Sequence, residues 1–120
     1  MPRGFVVLAA GLALLAAPAL AQSGPNGGLV GGKGHHQTEL VVSPESLTVY
    51  LLEEGKPHEP EGTSLRAVVQ QAGKTSTLEL AVDGDKLTAP LPAPLVKGAI
   101  VVLTGKDHHG DVFNARYVIK

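Results

Sequence analysis

The chain has 120 residues, enough for one small domain, and its formal charge is −1, from 10 Lys and Arg against 11 Asp and Glu. A near-neutral chain is a poor binder of nucleic acid and of anionic membrane surfaces. Cysteine is absent and the single methionine is Met1, which excludes disulfides, thiolate catalysis, iron–sulfur clusters and thiolate zinc sites.

Residues 1–21 have the pattern of a secretory signal peptide. Arg3 supplies a positive charge, an apolar run of about 13 residues follows from Phe5 to Ala17, and small residues at 19 and 21 form a cleavage pattern. The run is shorter than the roughly 20 residues that cross a bilayer as a helix. We therefore expect a periplasmic or secreted protein with no membrane span after cleavage.

Residues 22–34 hold six glycines and predict a flexible glycine-rich arm, with a short edge strand at Leu29–Val30. The remaining residues, 35–120, show apolar residues at a period of two, separated by glycine and proline, which is typical of short strands. Seven strands are predicted in chain order, at 36–43, 46–53, 64–71, 75–82, 86–89, 99–104 and 112–119.

Seven short strands at this spacing predict an all-β domain, an immunoglobulin-like β-sandwich, with a small β-barrel as the alternative. Because tryptophan and cysteine are absent, the core has to be aliphatic. The predicted core is Leu40, Val42, Leu47, Val49, Leu51, Leu65, Val69, Leu78, Leu80, Ile100, Val102 and Val118.

All five histidines are predicted at one end of the sandwich. Successive antiparallel strands alternate between the two ends, so the start of the first strand, the loop 54–63 and the loop 105–111 fall at the same end. The first and last strands of such sandwiches often run parallel and adjacent, which would bring the first histidine pair beside the last. The histidines are His35, His36, His58, His108 and His109.

Convergent imidazoles with carboxylates nearby predict a site for a divalent transition metal. Glu39 shares a strand face with His35, while Asp107 and Asp111 flank the last histidine pair. The candidate ligands are His35, His36, Glu39, His108 and His109, with His58, Asp107 and Asp111 as further candidates. Histidine pairs in polar loops are also ordinary surface composition, and His58 between Pro57 and Glu59 is typical of a solvated loop.

No catalytic pattern accompanies these residues. The serines lack a Gly-x-Ser-x-Gly elbow, and the arm glycines match neither a phosphate loop nor a dinucleotide-binding fingerprint. We therefore expect a protein that is not an enzyme.

The stretch Gly34-His35-His36-x-x-Glu39-Leu40-Val41, together with Gly24-Pro25-Asn26-Gly27-Gly28 and Leu47-Thr48-Val49-Tyr50-Leu51, resembles small exported proteins of Gram-negative bacteria associated with heavy-metal efflux. It is similar to periplasmic domains of efflux-pump adaptor subunits and, more broadly, to exported copper-resistance β-sandwiches that bind Cu(II) through histidines. The resemblance implies a role in metal homeostasis, with an efflux-pump component as a partner.

Two functions remain open on the sequence. The first is a metal-binding protein for copper or zinc, with nickel as a third metal; lacking Cys and mature Met, it would favour Cu(II) over Cu(I). The second is a non-catalytic structural or interaction module of the cell envelope, which would bind a partner through exposed strand edges.

Overall fold

The computed structural model describes residues 23–120, so the predicted signal peptide lies outside the described residues. The described chain is all-β, as predicted, and its strand bounds lie within one or two residues of the seven predicted strands. The nine strands are β1 (Leu29–Gly31), β2 (His36–Val42), β3 (Ser46–Glu53), β4 (Lys56–His58), β5 (Ser64–Gln71), β6 (Lys74–Asp83), β7 (Lys86–Pro90), β8 (Ile100–Lys106) and β9 (Val112–Val118).

The strands form one antiparallel sheet that is nearly closed into a barrel, with the order β1-β2-β3-β7-β6-β5-β8-β9 and with β4 paired to β3. Strand β6 joins the two halves of the sheet, because residues 74–80 pair with β5 and residues 81–83 pair with β7. The barrel alternative therefore describes the fold better than a seven-stranded immunoglobulin-like sandwich. Of the two further strands, β1 confirms the edge strand predicted at Leu29–Val30 of the glycine-rich arm, whereas β4 lies in the segment 54–63 that was predicted as a loop.

Side chains close the barrel where backbone pairing between β2 and β9 is lacking. The buried Tyr117 hydroxyl of β9 donates to the carbonyl oxygen of Thr38 on β2, at 2.7 Å, and lies 2.7 Å from the Thr38 hydroxyl. Strand β1 covers this junction, since an added Cβ at Gly31 would lie only 2.9 Å from the Tyr117 ring. A glycine is therefore required at this contact.

The core is mostly aliphatic, but it also contains Phe113 and Tyr117 of β9, and its composition differs from the prediction in β2, β8 and β9. In β8 the buried side chains are Val101 and Leu103, whereas Ile100 and Val102 are only half-buried. Every residue from 99 to 103 is apolar, so alternation gives no indication of which face points inward. The predicted core residues Val42 and Val118 lie at strand ends and are 37% and 41% exposed.

Within residues 23–120, the structure contains no helix of the length and hydropathy that crossing a membrane would require.

The Tyr117 hydroxyl is expected to stabilise the closed barrel. Tyr117→Phe should lower the free energy of unfolding by about 1–2 kcal/mol, because the buried carbonyl and hydroxyl of Thr38 lose a partner. Urea unfolding measures the change, and Tyr50→Phe, at a half-buried tyrosine of β3, is the matched control. Equal losses in the two variants would contradict the role given to Tyr117.

Burial raises the pKa of Tyr117 to about 12, although the hydrogen bond from Thr38 partly offsets the increase. A group whose pKa is higher in the folded state than in the unfolded state stabilises the fold below its unfolded pKa. This contribution is lost as the pH rises from the unfolded pKa through the folded pKa. The wild-type protein should therefore lose stability between the ordinary tyrosine pKa of about 10 and pH 12. Unfolding midpoints measured across this range should fall less steeply in Tyr117→Phe.

Candidate metal centre

The antiparallel order brings the histidine-bearing segments to one end of the barrel, here called the histidine end. His36 at the start of β2 pairs with Glu53 at the end of β3, and the β3–β4 hairpin places His58 opposite Leu51. The loop between β8 and β9 is at this end too, because Lys106 pairs with Ser64. Residues far apart in sequence thus meet through strand pairing alone.

His58 lies between two carboxylates. Its Nδ1 is 3.4 Å from Oε1 of Glu53, and its Nε2 is 3.4 Å from Oδ2 of Asp107. The His58 side chain is 15% exposed, and that of Asp107 is fully buried. The loop that seemed solvated in sequence instead turns back as β4, because its Lys56–His58 segment pairs with β3 and directs the imidazole to the side of Leu51.

The two carboxylate oxygens of Asp107 have different roles. Oδ1 accepts hydrogen bonds from the backbone N–H groups of His109 and Asp111, both at 2.9 Å. These bonds hold the turn between β8 and β9, which is also closed by the backbone bond from Asp107 N–H to the carbonyl oxygen of Asp111. Oδ2 is left facing His58. The turn therefore fixes a fully buried carboxylate beside an imidazole.

The electrostatic surroundings keep Asp107 ionised. Burial by itself would raise the pKa of Asp107, but the backbone hydrogen bonds from Asp111 and His109, with smaller contributions from the charges of His109 and His58, bring the pKa below its ordinary value. An ionised carboxylate is the form that binds a cation.

His36 lies beside the same buried phenylalanine as His58. The Phe113 ring is fully buried, with the His36 ring centroid 5.3 Å away in an edge-on arrangement and the His58 ring centroid 6.1 Å away. Nε2 of His36 is 3.8 Å from Oδ2 of Asp111. Phe113 thus lies beside the histidines of two His–Asp pairs, His36–Asp111 and His58–Asp107.

Four buried side-chain polar atoms in the described residues have no hydrogen-bond partner: His36 Nδ1, His58 Nε2, Thr63 Oγ1 and Asp107 Oδ2. All four belong to segments at the histidine end. Such groups are rare in folded proteins and indicate a bound water or ion, or a functional role. Thr63 was not among the predicted site residues, because a single threonine in a turn forms no recognisable sequence motif.

The other predicted ligands lie apart from these two pairs. The His35 side chain is 73% exposed, and its Nδ1 lies 3.2 Å from Oε2 of Glu54. His108 and His109 are exposed, with ring centroids 3.9 Å apart, and an added Cβ at Gly62 would lie 2.7 Å from the His108 Cβ.

Glu39 is fully buried, and both of its carboxylate oxygens accept hydrogen bonds from the arm. Its position on the outward face of β2, which suggested a ligand, is covered by residues 24–28.

Within residues 23–120, no three His, Asp or Glu side chains are grouped as a complete metal-binding set. The closest arrangement is the pair His58–Asp107, with Glu53 on the far side of the imidazole.

The buried charge of Asp107 should stabilise the fold. Asp107→Asn keeps an acceptor for the turn but loses charge-assisted hydrogen bonds, so the free energy of unfolding should fall by about 1–3 kcal/mol at neutral pH. A carboxyl group with a lowered pKa contributes its stability above its ordinary value of 3.8 and loses it as the pH falls further. The wild-type and variant curves should therefore converge in acid.

Urea midpoints measured from neutral pH down to acid test this expectation. The matched control is Asp85→Asn, at a side chain that is 80% exposed, and it should change little at any pH. Curves for Asp107→Asn and the wild type that stay parallel into acid would contradict the role given to the charge.

Comparison with protein-family models, with curated proteins and with solved structures gives no match. What the histidine end can bind is therefore inferred from its own side chains.

Proposed function

We propose that this protein is an exported, non-catalytic metal-binding protein that holds a divalent transition-metal ion between His58 and Asp107. The ion would be copper(II), zinc or nickel, and the role metal homeostasis or efflux in the periplasm. The signal-like sequence of residues 1–21 and the resemblance to exported heavy-metal proteins support the compartment and the role.

The separation of His58 Nε2 and Asp107 Oδ2 carries the proposal. At 3.4 Å the two atoms are farther apart than in an ordinary N–H···O hydrogen bond, and neither has another partner among the described residues. Two ligands bound to one tetrahedral zinc ion are also about 3.4 Å apart, given zinc–nitrogen and zinc–oxygen distances near 2.1 Å. A bound ion would satisfy both buried atoms.

Glu53 supports this use of His58. Metal-binding imidazoles usually donate their second N–H to a carboxylate, which fixes the tautomer and makes the ligand nitrogen more basic. Glu53 Oε1 lies 3.4 Å from Nδ1 of His58, which leaves Nε2 as the nitrogen that faces Asp107. The proposed arrangement is therefore, in order, the Glu53 carboxylate, the His58 imidazole, the metal ion and the Asp107 carboxylate.

Two protein ligands leave coordination positions for water or for a donor from a partner. Closed sets of four protein ligands are typical of structural zinc, whereas open positions allow exchange. An open site suits a protein that takes up and releases its ion, as an accessory to an efflux-pump component would. The lack of Cys and of Met beyond Met1 favours Cu(II), Zn(II) and Ni(II) over Cu(I).

Titration calorimetry of the metal-stripped mature protein tests the site. We expect one saturable site tighter than about 0.1 mM, lost in His58→Ala and in Asp107→Asn. Glu53→Gln should bind about 10–100-fold more weakly, because it loses only the orienting carboxylate. His35→Ala, at an exposed histidine of the same end, is the control and should bind normally. Normal binding by His58→Ala would overturn the proposal.

Metal binding should also stabilise the fold, because β4 carries His58 and the turn after β8 carries Asp107. At a metal concentration of about 100 times the Kd, the free energy of unfolding should rise by about 2.7 kcal/mol, and a chelator should reverse the gain. Protons compete with metal ions for the imidazole nitrogen, so the gain should shrink in acid. Thermal unfolding with and without zinc measures the gain in stability. An identical gain in His58→Ala would contradict a metal ion bound between His58 and Asp107.

One observation favours the interaction module as the second candidate. Strand β9 pairs only with β8 among the described strands, and it exposes Val112 (50%) and Val118 (41%). Exposed apolar side chains on a strand that has a backbone partner on one side only are a common binding surface for another chain. A pull-down from envelope extract with and without chelator separates the two functions, since only the module would retain its partner when metal is removed.

A further inference from the structure

The arm that precedes β2 is a small hairpin folded around one side chain. Ser23 bridges to Leu29, the Gly24 N–H donates to the carbonyl oxygen of Gly28, and the Gly27 N–H donates to that of Gly24. This hairpin, residues 23–29, continues into β1, which pairs with β2. The hairpin lies over the outward face of β2, where Glu39 is located.

Asn26 supplies most of the contact between the hairpin and Glu39. Its backbone N–H donates to Oε2 at 2.8 Å and its side-chain amide donates to Oε1 at 3.0 Å, while the Gly28 N–H donates to Oε2 at 2.7 Å. Glu39 is fully buried. A buried carboxylate is stable only while such donors remain, so the hairpin and Glu39 hold each other in place.

The Asn26–Gly27 peptide itself is exposed. Both residues are exposed, Gly27 has a φ of 79°, and nothing lies within 4 Å of the place where a Cβ would be. A glycine nitrogen carries no neighbouring side chain that would shield it, and glycine adopts the conformations that a ring closure demands.

We propose that Asn26 is a site of spontaneous deamidation, and that its conversion releases the hairpin from Glu39. In the first step the Gly27 nitrogen bonds to Cγ of Asn26, the Cγ–Nδ2 bond breaks, and ammonia leaves with the proton from the Gly27 nitrogen. Water then opens the resulting succinimide and gives aspartate or isoaspartate. The step requires the Gly27 N–H bond to Gly24 to open, which the exposed turn permits.

The product is incompatible with the contact. Oxygen replaces the Nδ2 donor that lies 3.0 Å from Glu39 Oε1, so two carboxylates face each other at a partly buried contact. Two carboxylates this close repel and cannot both stay ionised. Separation of the hairpin from β2 relieves the repulsion and returns Glu39 to water, and isoaspartate also lengthens the backbone of the turn.

Release would change the surroundings of His58 as well. Pro25 and Asn26 line a pocket of about 290 Å³ together with Tyr50, Pro57 and His58. Removing the hairpin from one wall opens this pocket. The inference concerns the arm alone and stands whether or not His58 binds a metal.

Ageing of the purified mature protein at mildly alkaline pH and body temperature tests the proposal. Peptide mapping should find aspartate and isoaspartate accumulating at 26, and hydrogen exchange should show the amides of Asn26 and Gly28 losing protection in the same proportion. Asn114, followed by Ala115 in β9, is the internal control and should stay intact. An unchanged Asn26, or deamidation with full protection of the hairpin, would overturn the proposal.

Two variants separate the charge from a general loss of packing. Asn26→Asp should expose the hairpin to exchange and to limited proteolysis without ageing. In a Glu39→Gln background the same substitution should have much less effect, because the repulsion is absent and the amide of residue 39 can donate to the new carboxylate. Equal effects of Asn26→Asp in both backgrounds would count against release by repulsion.

Discussion

The candidate site depends on the way Asp107 divides its two carboxylate oxygens. Oδ1 accepts two backbone N–H bonds that shape the turn between β8 and β9, and Oδ2 is held beside the His58 imidazole. The hydrogen bonds at Oδ1 fix the position of Oδ2, because an Asp107 side chain that is anchored at one oxygen cannot turn away from His58. Burial lets this pair interact without competition from water, and it leaves both facing atoms in need of a partner.

The barrel reaches this arrangement without a tryptophan or a disulfide. Its strands pair continuously except between β9 and β2, where Tyr117 and Thr38 make hydrogen bonds in place of a backbone ladder. At the histidine end the Phe113 ring is fully buried, and the ring centroids of His36 and His58 lie 5.3 and 6.1 Å from it.

Much of the fold could be predicted because alternating residues and glycine or proline turns mark the strands, and antiparallel order then fixes which loops share an end. The inward face of β8 could not be predicted, because residues 99–103 are all apolar and show no alternation with polar residues that would mark one face. Strand β4 was missed because Pro57 and Gly55 are typical of loops. The burial of His58 beside Asp107, in contrast to the exposed His108 and His109, depends on how the β3–β4 hairpin turns, and no pattern in the sequence shows that. Glu39 has the sequence spacing that suggested a ligand. The arm covers it, and the contacts that fold the arm do not follow a repeating pattern in the sequence.

The three glycines of the arm that have no room for a side chain limit how this part of the chain can vary. A Cβ at Gly24 would overlap the Glu39 carboxyl group, one at Gly28 would overlap the carbonyl oxygen of Leu40, and one at Gly31 would crowd Tyr117. The glycines at 24, 28 and 31 and the acidic residue at 39 are therefore physically coupled, because a side chain at any of the three glycines would displace a group that the arm packs against. This coupling restricts the sequence of the arm more tightly than that of the aliphatic strands, where side chains of similar volume replace one another at small cost.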